Sequence, residues 1–96
     1  MERLSRFDIA AHGGVAMVVV ESDLLPPDPV IVVIPLLSGY PAIRHLNPVI
    51  LHDGREMVLA TRLIAGVRRA GLRRVGSAAG QGDEITRAVN VLMAGV

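Results

Sequence analysis

The hydrophobic positions divide the first 75 residues into short apolar runs separated by turn residues. A β-branched run at 16–20 is typical of a strand. The continuous run at 30–37 predicts a strand covered on both faces, with a bulge or a strand end at Pro35. Asp53-Gly54 separates runs at 49–51 and 57–59. It predicts a hairpin with a type I′ turn, because that turn needs positive φ at both central residues.

The spacing changes towards the end of the sequence. Residues 61–75 predict a loop and one further strand, since Gly66 and Gly71 each weaken a helix by about 1 kcal/mol. The glycine-rich stretch 76–82 predicts a flexible connection, and Asp83 is expected to be the N-cap of a helix. That helix has an apolar stripe at helical spacing, formed by Ile85, Ala88, Val89, Leu92 and Met93. The order of elements predicts a mainly β (α+β) fold, a small barrel-like antiparallel sheet with one C-terminal α-helix laid on it.

The composition bears on assembly. A chain of 96 residues fits one domain, expected to cover 1–96. Its hydrophobic fraction is 51%, almost entirely aliphatic, because Phe7 and Tyr40 are the only aromatic residues. So small a domain is expected to leave apolar surface outside its core, and exposed apolar patches mark interfaces. The sequence therefore predicts a homodimer, with scattered surface apolar residues as the alternative.

Other function classes lose support from composition and motifs. The sequence has no cysteine, and its formal net charge of +1 is too small for strong non-specific attraction to nucleic acid. No apolar run approaches the roughly 20 residues of a membrane span, so we expect a cytoplasmic protein without membrane contact. His12, His45 and His52 have no metal-ligand spacing, and no nucleophile motif is present. We expect neither an enzyme nor a cofactor.

Two features remain as candidate binding elements. Leu24 and Leu25 precede a stretch with prolines at 26, 27 and 29, which predicts a stiff loop that displays both leucines. The alternative is that the leucines fill the rim of the core. A basic cluster is formed by Arg68, Arg69, Arg73 and Arg74. It predicts either contact with phosphates or an acidic tail, or simply a solvated polar stretch.

Four stretches, in order and with compatible spacing, resemble the CcdB family of toxin–antitoxin gyrase toxins. Residues 21–25, Glu-Ser-Asp-Leu-Leu, are similar to that family's Gln-Ser-Asp-Ile-Ile, and residues 33–36, Val-Ile-Pro-Leu, to its Val-Ile-Pro-Leu strand. Residues 44–49, Arg-His-Leu-Asn-Pro-Val, are similar to Arg-Glu-Leu-Tyr-Pro-Val. Residues 85–96, Ile-Thr-Arg-Ala-Val-Asn-Val-Leu-Met-Ala-Gly-Val, resemble its closing Ile-Lys-Asn-Ala-Ile-Asn-Leu-Met-Phe-Trp-Gly-Ile. The resemblance implies an SH3-like β-barrel, a homodimer and no covalent chemistry.

The resemblance also implies two partners. A cognate antitoxin, whose disordered tail wraps the toxin, would contact the positions held here by Leu24, Leu25, Asn90 and Met93. The A subunit of DNA gyrase would contact the tail, Ala94, Gly95 and Val96. The family has Trp-Gly-Ile there, so Ala94 lacks the indole. Truncating an interface tryptophan costs about 2 kcal/mol or more, roughly thirtyfold in affinity, which predicts weak or absent gyrase poisoning.

The tail has a physical argument of its own. A carboxylate just beyond a helix C-terminus lies beside the negative end of the helix dipole, so docking on an arginine of another protein would relieve the repulsion. The alternative is a terminus that is simply solvated. Two other functions stay open. One is an endoribonuclease, recruiting Arg62, Arg68, Arg69 and a nearby histidine, as in a second toxin family with a similar barrel. The other is a toxin-fold protein that has lost poisoning and serves as a decoy or regulator.

Overall fold

The computed structural model describes residues 3–95, and this part of the chain is built mainly from antiparallel strands. The strands are β1 (Asp8–His12), β2 (Val15–Val19), β3 (Val30–Leu37), β4 (Val49–His52), β5 (Arg55–Leu59), β6 (Ala65–Arg68) and β7 (Arg73–Ser77). Two 3₁₀ turns lie at Thr61–Leu63 and Ala79–Gln81, and one helix, α1, spans Gly82–Ala94. The strand order is β4-β5-β3-β2-β1-β7, with β6 also beside β3.

Strand β3 is the centre of the sheet because it has three partners. One edge pairs with β2, and the other pairs with β6 along Val30–Val33 and then with β5 at Leu36 and Leu37. Pro35 lies where this second edge passes from β6 to β5, and its carbonyl accepts a hydrogen bond from the Ala60 N–H at 3.0 Å. Proline has no backbone N–H, but no inter-strand hydrogen bond is lost at this point of the sheet. The predicted bulge or strand end at Pro35 is therefore wrong.

The sheet is buried on both faces along β3, as the apolar run predicted. Ile34 and Leu36 face one core, which they share with the helix residues Ile85 and Ala88. The alternate positions face a second core, which contains Leu4, Ala10, Met17, Val19, Ile31, Val33 and Leu72. Both cores consist of aliphatic residues, which explains why so short a chain needs so high a hydrophobic fraction.

Two glycine-containing turns form the hairpins. Asp53 and Gly54 have φ of 52° and 72°, which confirms the predicted turn between β4 and β5. Gly13 and Gly14 have φ of 56° and 81° and make a second two-residue turn, between β1 and β2. Gly-Gly is itself a hairpin signal, so this turn could have been read from the sequence. The strand predicted at 16–20 is observed as β2.

Helix α1 is attached at its first turn by two contacts. Gly82 lies against the ring of Phe7, so closely that a Cβ at position 82 would be 2.7 Å from the ring's Cε2. The Gln81 side-chain amide pairs with the free edge of β4: Nε2 donates to the Val49 carbonyl at 2.8 Å, and Oε1 accepts from the Leu51 N–H at 3.3 Å. The amide takes the place of a neighbouring strand and joins the start of the helix to the sheet.

Three predictions about the last third of the chain are wrong. Residues 61–75 contain two strands rather than one, because β6 pairs with β3 and β7 with β1. The stretch 76–82 is not a flexible connection, since Gly76 and Ser77 belong to β7 and a 3₁₀ turn follows. Asp83 is not the N-cap. The helix begins one residue earlier, and Asp83 lies in its first turn, where its charge still favours the dipole.

The architecture is a curled antiparallel sheet with one C-terminal helix. This confirms the predicted fold class and is consistent with an SH3-like small β fold.

Gly82→Ala is expected to destabilise the protein by about 1–3 kcal/mol, because the added methyl group has to displace the Phe7 ring. The matched control is Gly80→Ala, where an added Cβ meets nothing within 4 Å. Urea unfolding of the two variants measures the difference. Equal stabilities would show that the helix start is not packed tightly against Phe7.

Candidate functional site

The loop between β2 and β3, residues 20–29, is held at its base by an ion pair and hydrogen bonds. Glu21 Oε1 accepts from the Val32 N–H at 2.9 Å, and its Oε2 lies 3.6 Å from Arg69 Nη2. Arg69 Nε donates to the Asp28 carbonyl at 3.0 Å. The Glu21 and Arg69 side chains are only 14% and 15% exposed, so solvent screens this pair less than an open surface pair.

The tip of the loop displays two leucines. Leu24 is 94% exposed and Leu25 is 54% exposed, so the alternative that they fill a core rim is wrong. Ser22 Oγ accepts from the Leu24 N–H at 3.1 Å, and Asp23 Oδ1 accepts from the Arg6 N–H at 2.7 Å. These bonds hold the backbone of the tip while both apolar side chains face solvent.

Arg6 connects this loop to the helix. Its backbone N–H binds Asp23, and its Nη2 donates to Thr86 Oγ1 at 3.1 Å. The guanidinium carbon lies 4.7 Å from the centroid of the Phe7 ring, a cation–π contact. Since Arg6 reaches both elements, the loop tip and the Thr86 side of the helix lie on the same side of the molecule.

Thr86, Asn90 and Met93 follow each other at helical spacing and share one flank of α1. Asn90 is exposed and Met93 is 73% exposed. Met93 continues the apolar stripe of the helix but faces solvent. It lies about 80° round the helix from Ile85, at the margin of the face that packs on the sheet. We call Leu24, Leu25, Asn90 and Met93 the loop–helix surface, and Arg6 lies between its two halves.

The end of the helix is also exposed. Ala94 faces solvent, and Gly95 caps the helix in the left-handed conformation, with φ of 74° and its N–H donating to the Val91 carbonyl at 3.0 Å. Glycine adopts this conformation without steric cost, which suits it to the position after a helix. Val96, the third predicted tail residue, lies outside the described residues.

The basic cluster predicted at 68–74 does not exist as one patch. Arg69 pairs with Glu21, and Arg74 Nε lies 3.2 Å from Asp8 Oδ1, so these two arginines stabilise the fold. Arg68 and Arg73 are exposed and lie on different strands. Because Arg69 is paired with Glu21, it is not available to bind RNA phosphates, as the endoribonuclease alternative requires.

A groove of about 530 Å³ lies between residues 42–49 and the first turns of the helix. Ile43, 48% exposed, and Val49, 38% exposed, give it an apolar wall. His45 has φ of 70°, and desolvation, then Arg87 and Arg44, lower the pKa of its imidazole from the usual 6.5. The lowered pKa favours the neutral form of the His45 imidazole.

Sequence reasoning missed Arg6 and the pairing of Glu21 with Arg69. Arg6 and Thr86 are 80 positions apart, and the partners at 21 and 69 are also distant in sequence, so no local pattern joins them. Over residues 3–95 the structure shows no group of three or more histidine, aspartate or glutamate residues able to hold a metal ion. No helix in that range is long and apolar enough to cross a membrane.

Comparison with known protein families identifies a match: the family model described as "CcdB protein" covers residues 8–95, which is nearly the whole chain. No curated protein matches the chain. The matched range includes the loop at 20–29 and the helix through Gly95, so it covers the loop–helix surface.

Arg69→Ala is expected to lower the free energy of unfolding by about 1–3 kcal/mol, because it removes the ion pair with Glu21 and the side-chain hydrogen bond to the Asp28 carbonyl. It should also speed amide hydrogen exchange at Leu24 and Leu25. Arg68→Ala is the control, since Arg68 is its exposed neighbour. Unchanged exchange in the Arg69 variant would show that the pair does not hold the loop.

Proposed function

The chain belongs to the CcdB family of non-enzymatic, gyrase-binding toxins of toxin–antitoxin systems, and we propose that it acts by binding two protein partners. The first is a cognate antitoxin, held at the loop–helix surface. The second is the A subunit of DNA gyrase, contacted by the tail formed by Ala94, Gly95 and Val96. The active form is a homodimer that performs no covalent chemistry.

The exposure of Leu24 on a braced loop carries the antitoxin part of the proposal. An aliphatic side chain 94% in solvent gains about 1.5–3 kcal/mol when another molecule covers it. The loop is fixed by Glu21, Arg69 and the hydrogen bonds at its tip, so little conformational entropy is lost on binding. Met93 adds a flexible apolar side chain, a type that adapts to irregular partners.

The tail supports weak rather than strong gyrase poisoning. Ala94 is exposed and offers one methyl group at the position where the family's Trp-Gly-Ile motif has an indole. The following Gly95 is retained, and its left-handed conformation ends the helix. We propose that the tail still reaches gyrase but lacks most of its anchor. A protein that binds antitoxin yet does not poison gyrase would fit the alternative function, a toxin-fold protein that serves as a decoy.

Self-association is supported by the amount of apolar surface left outside the two cores. Nine large apolar side chains of the described residues are exposed, namely Val15, Leu24, Leu25, Val30, Ile43, Val49, Leu51, Leu63 and Met93. They occur on the loop, the sheet and the helix, which is more surface than the antitoxin site alone accounts for. A second copy would cover part of it.

Leu24→Glu and Leu25→Glu are each expected to weaken antitoxin binding at least about tenfold, because a carboxylate replaces the buried apolar contact. Isothermal titration with the tail peptide of the antitoxin encoded by the neighbouring reading frame measures this. Leu51→Glu is the matched control, since Leu51 is 62% exposed on β4. A loss only in the Leu51 variant would place the antitoxin on the sheet instead.

Ala94→Trp is expected to increase gyrase poisoning by about thirtyfold or more over the unchanged protein, because it restores the indole. Cleavage-complex formation with purified gyrase and supercoiled plasmid measures the effect. Arg87→Trp, two turns earlier on the same face of the helix, controls for added apolar surface. Full poisoning by the unchanged protein at stoichiometric amounts would contradict the proposal.

Light scattering at micromolar concentration is expected to give a mass near twice 10.2 kDa. Because apolar contacts hold the dimer, raising the salt concentration should not dissociate it. A monomer at micromolar concentration, or dissociation by salt alone, would argue against an apolar dimer interface.

A further inference from the structure

The barrel interior opens to solvent through a depression of about 620 Å³ that none of the proposed partners uses. Its floor continues the first core, with Ala11 and Ala16 directly opposite each other on β1 and β2, and Leu36 and Met57 beside them. Small residues at the paired positions leave the space that larger side chains would fill. The volume is in the range of pockets that hold small organic ligands.

We call this depression the barrel mouth, and its rim carries an excess of positive charge. Arg73 is the cross-strand partner of Ala11, so it stands on the inner face of the sheet, and Arg55 lies opposite His52 at the end of the β4–β5 hairpin. The side chains of Arg55 and Arg73 have no ion pair or hydrogen bond with another residue of 3–95. Asp53, the one carboxylate in the lining, lies 3.6 Å from His52 Nε2.

His12 completes the rim in a defined orientation. Its Nδ1 lies 3.2 Å from the Gly71 carbonyl oxygen. A carbonyl can only accept, so Nδ1 carries the proton and donates. Nε2 has no partner among the described residues and is available to a ligand. Position 71 has φ of 91° and a Cβ there would come 3.3 Å from the His12 ring, so glycine both permits the turn and leaves room for the imidazole.

From this arrangement we propose that the barrel mouth binds a phosphate monoester with an organic body of nucleotide size. Two unpaired guanidiniums match the two negative charges of a phosphate monoester. A ligand with a single carboxylate would supply only one of these charges. The apolar floor suits a flat or aliphatic body, and a bare phosphate would leave it uncovered. The mouth differs from the loop–helix surface and the tail in all its residues, so this inference does not rest on the proposed function.

NMR titration of the full-length, isotopically labelled protein with uridine 5′-monophosphate tests the proposal. Saturable shifts are expected at the amides of Gly13, Gly14, Gly54 and Gly71. Uridine, which lacks the phosphate, and inorganic phosphate, which lacks the body, should each bind at least about tenfold more weakly. Shifts by inorganic phosphate equal to those by the nucleotide would overturn the proposal, because they would show an unselective basic rim.

Arg55→Gln and Arg73→Gln should each weaken binding about tenfold or more, while both variants keep the native spectrum, since neither side chain has a partner in the fold. Arg62→Gln, an exposed arginine away from the mouth, should bind as the unchanged protein does. Loss of binding in the Arg62 variant would overturn the site. Tighter binding of a glutamate-rich peptide, or of an oligouridylate without terminal phosphates, would overturn the monoester assignment.

Discussion

The packing of one helix face against an open, curled sheet is the constraint on which the rest of the structure depends. Ile85 and Ala88 are completely buried and complete the first core with residues of β1, β2 and β3. A helix of this length is not stable alone in water, and an open sheet would expose its aliphatic interior. Each element therefore supplies the surface that the other needs. Gly82 and Gln81 fix where the contact begins.

Because Ile85 and Ala88 face the core, the orientation of the helix is fixed, and this determines which of its other residues face solvent. Asn90 and Met93 are turned towards solvent, on the flank where Thr86 receives Arg6. Because Arg6 also binds Asp23, the same contact orients the loop that carries Leu24 and Leu25. The exposed apolar residues of loop and helix are thus positioned by the polar contacts and packing beneath them. A change in the helix packing is expected to alter the loop–helix surface even when no surface residue is replaced.

Local patterns predicted the elements whose cause is local. The Asp53-Gly54 turn, the two-faced strand β3 and the C-terminal helix follow from turn chemistry and hydrophobic spacing. The errors occurred where tertiary pairing decides. Pro35 is tolerated because β3 changes partner there, and β6 forms because β3 offers it an edge. The exposure of Leu24 was predictable from the prolines that follow it. The tie between loop and helix was not, since it joins residues 6 and 86.

We propose that one continuous surface, from the loop tip across Arg6 to the helix flank, receives the antitoxin. NMR mapping of the bound state, with labelled toxin and the unlabelled antitoxin tail, would locate this contact. Amide shifts are expected to cluster at residues 22–25, at Arg6 and along the Thr86–Asn90–Met93 flank. Shifts confined to β4 and the groove at 42–49, with the loop unchanged, would contradict it.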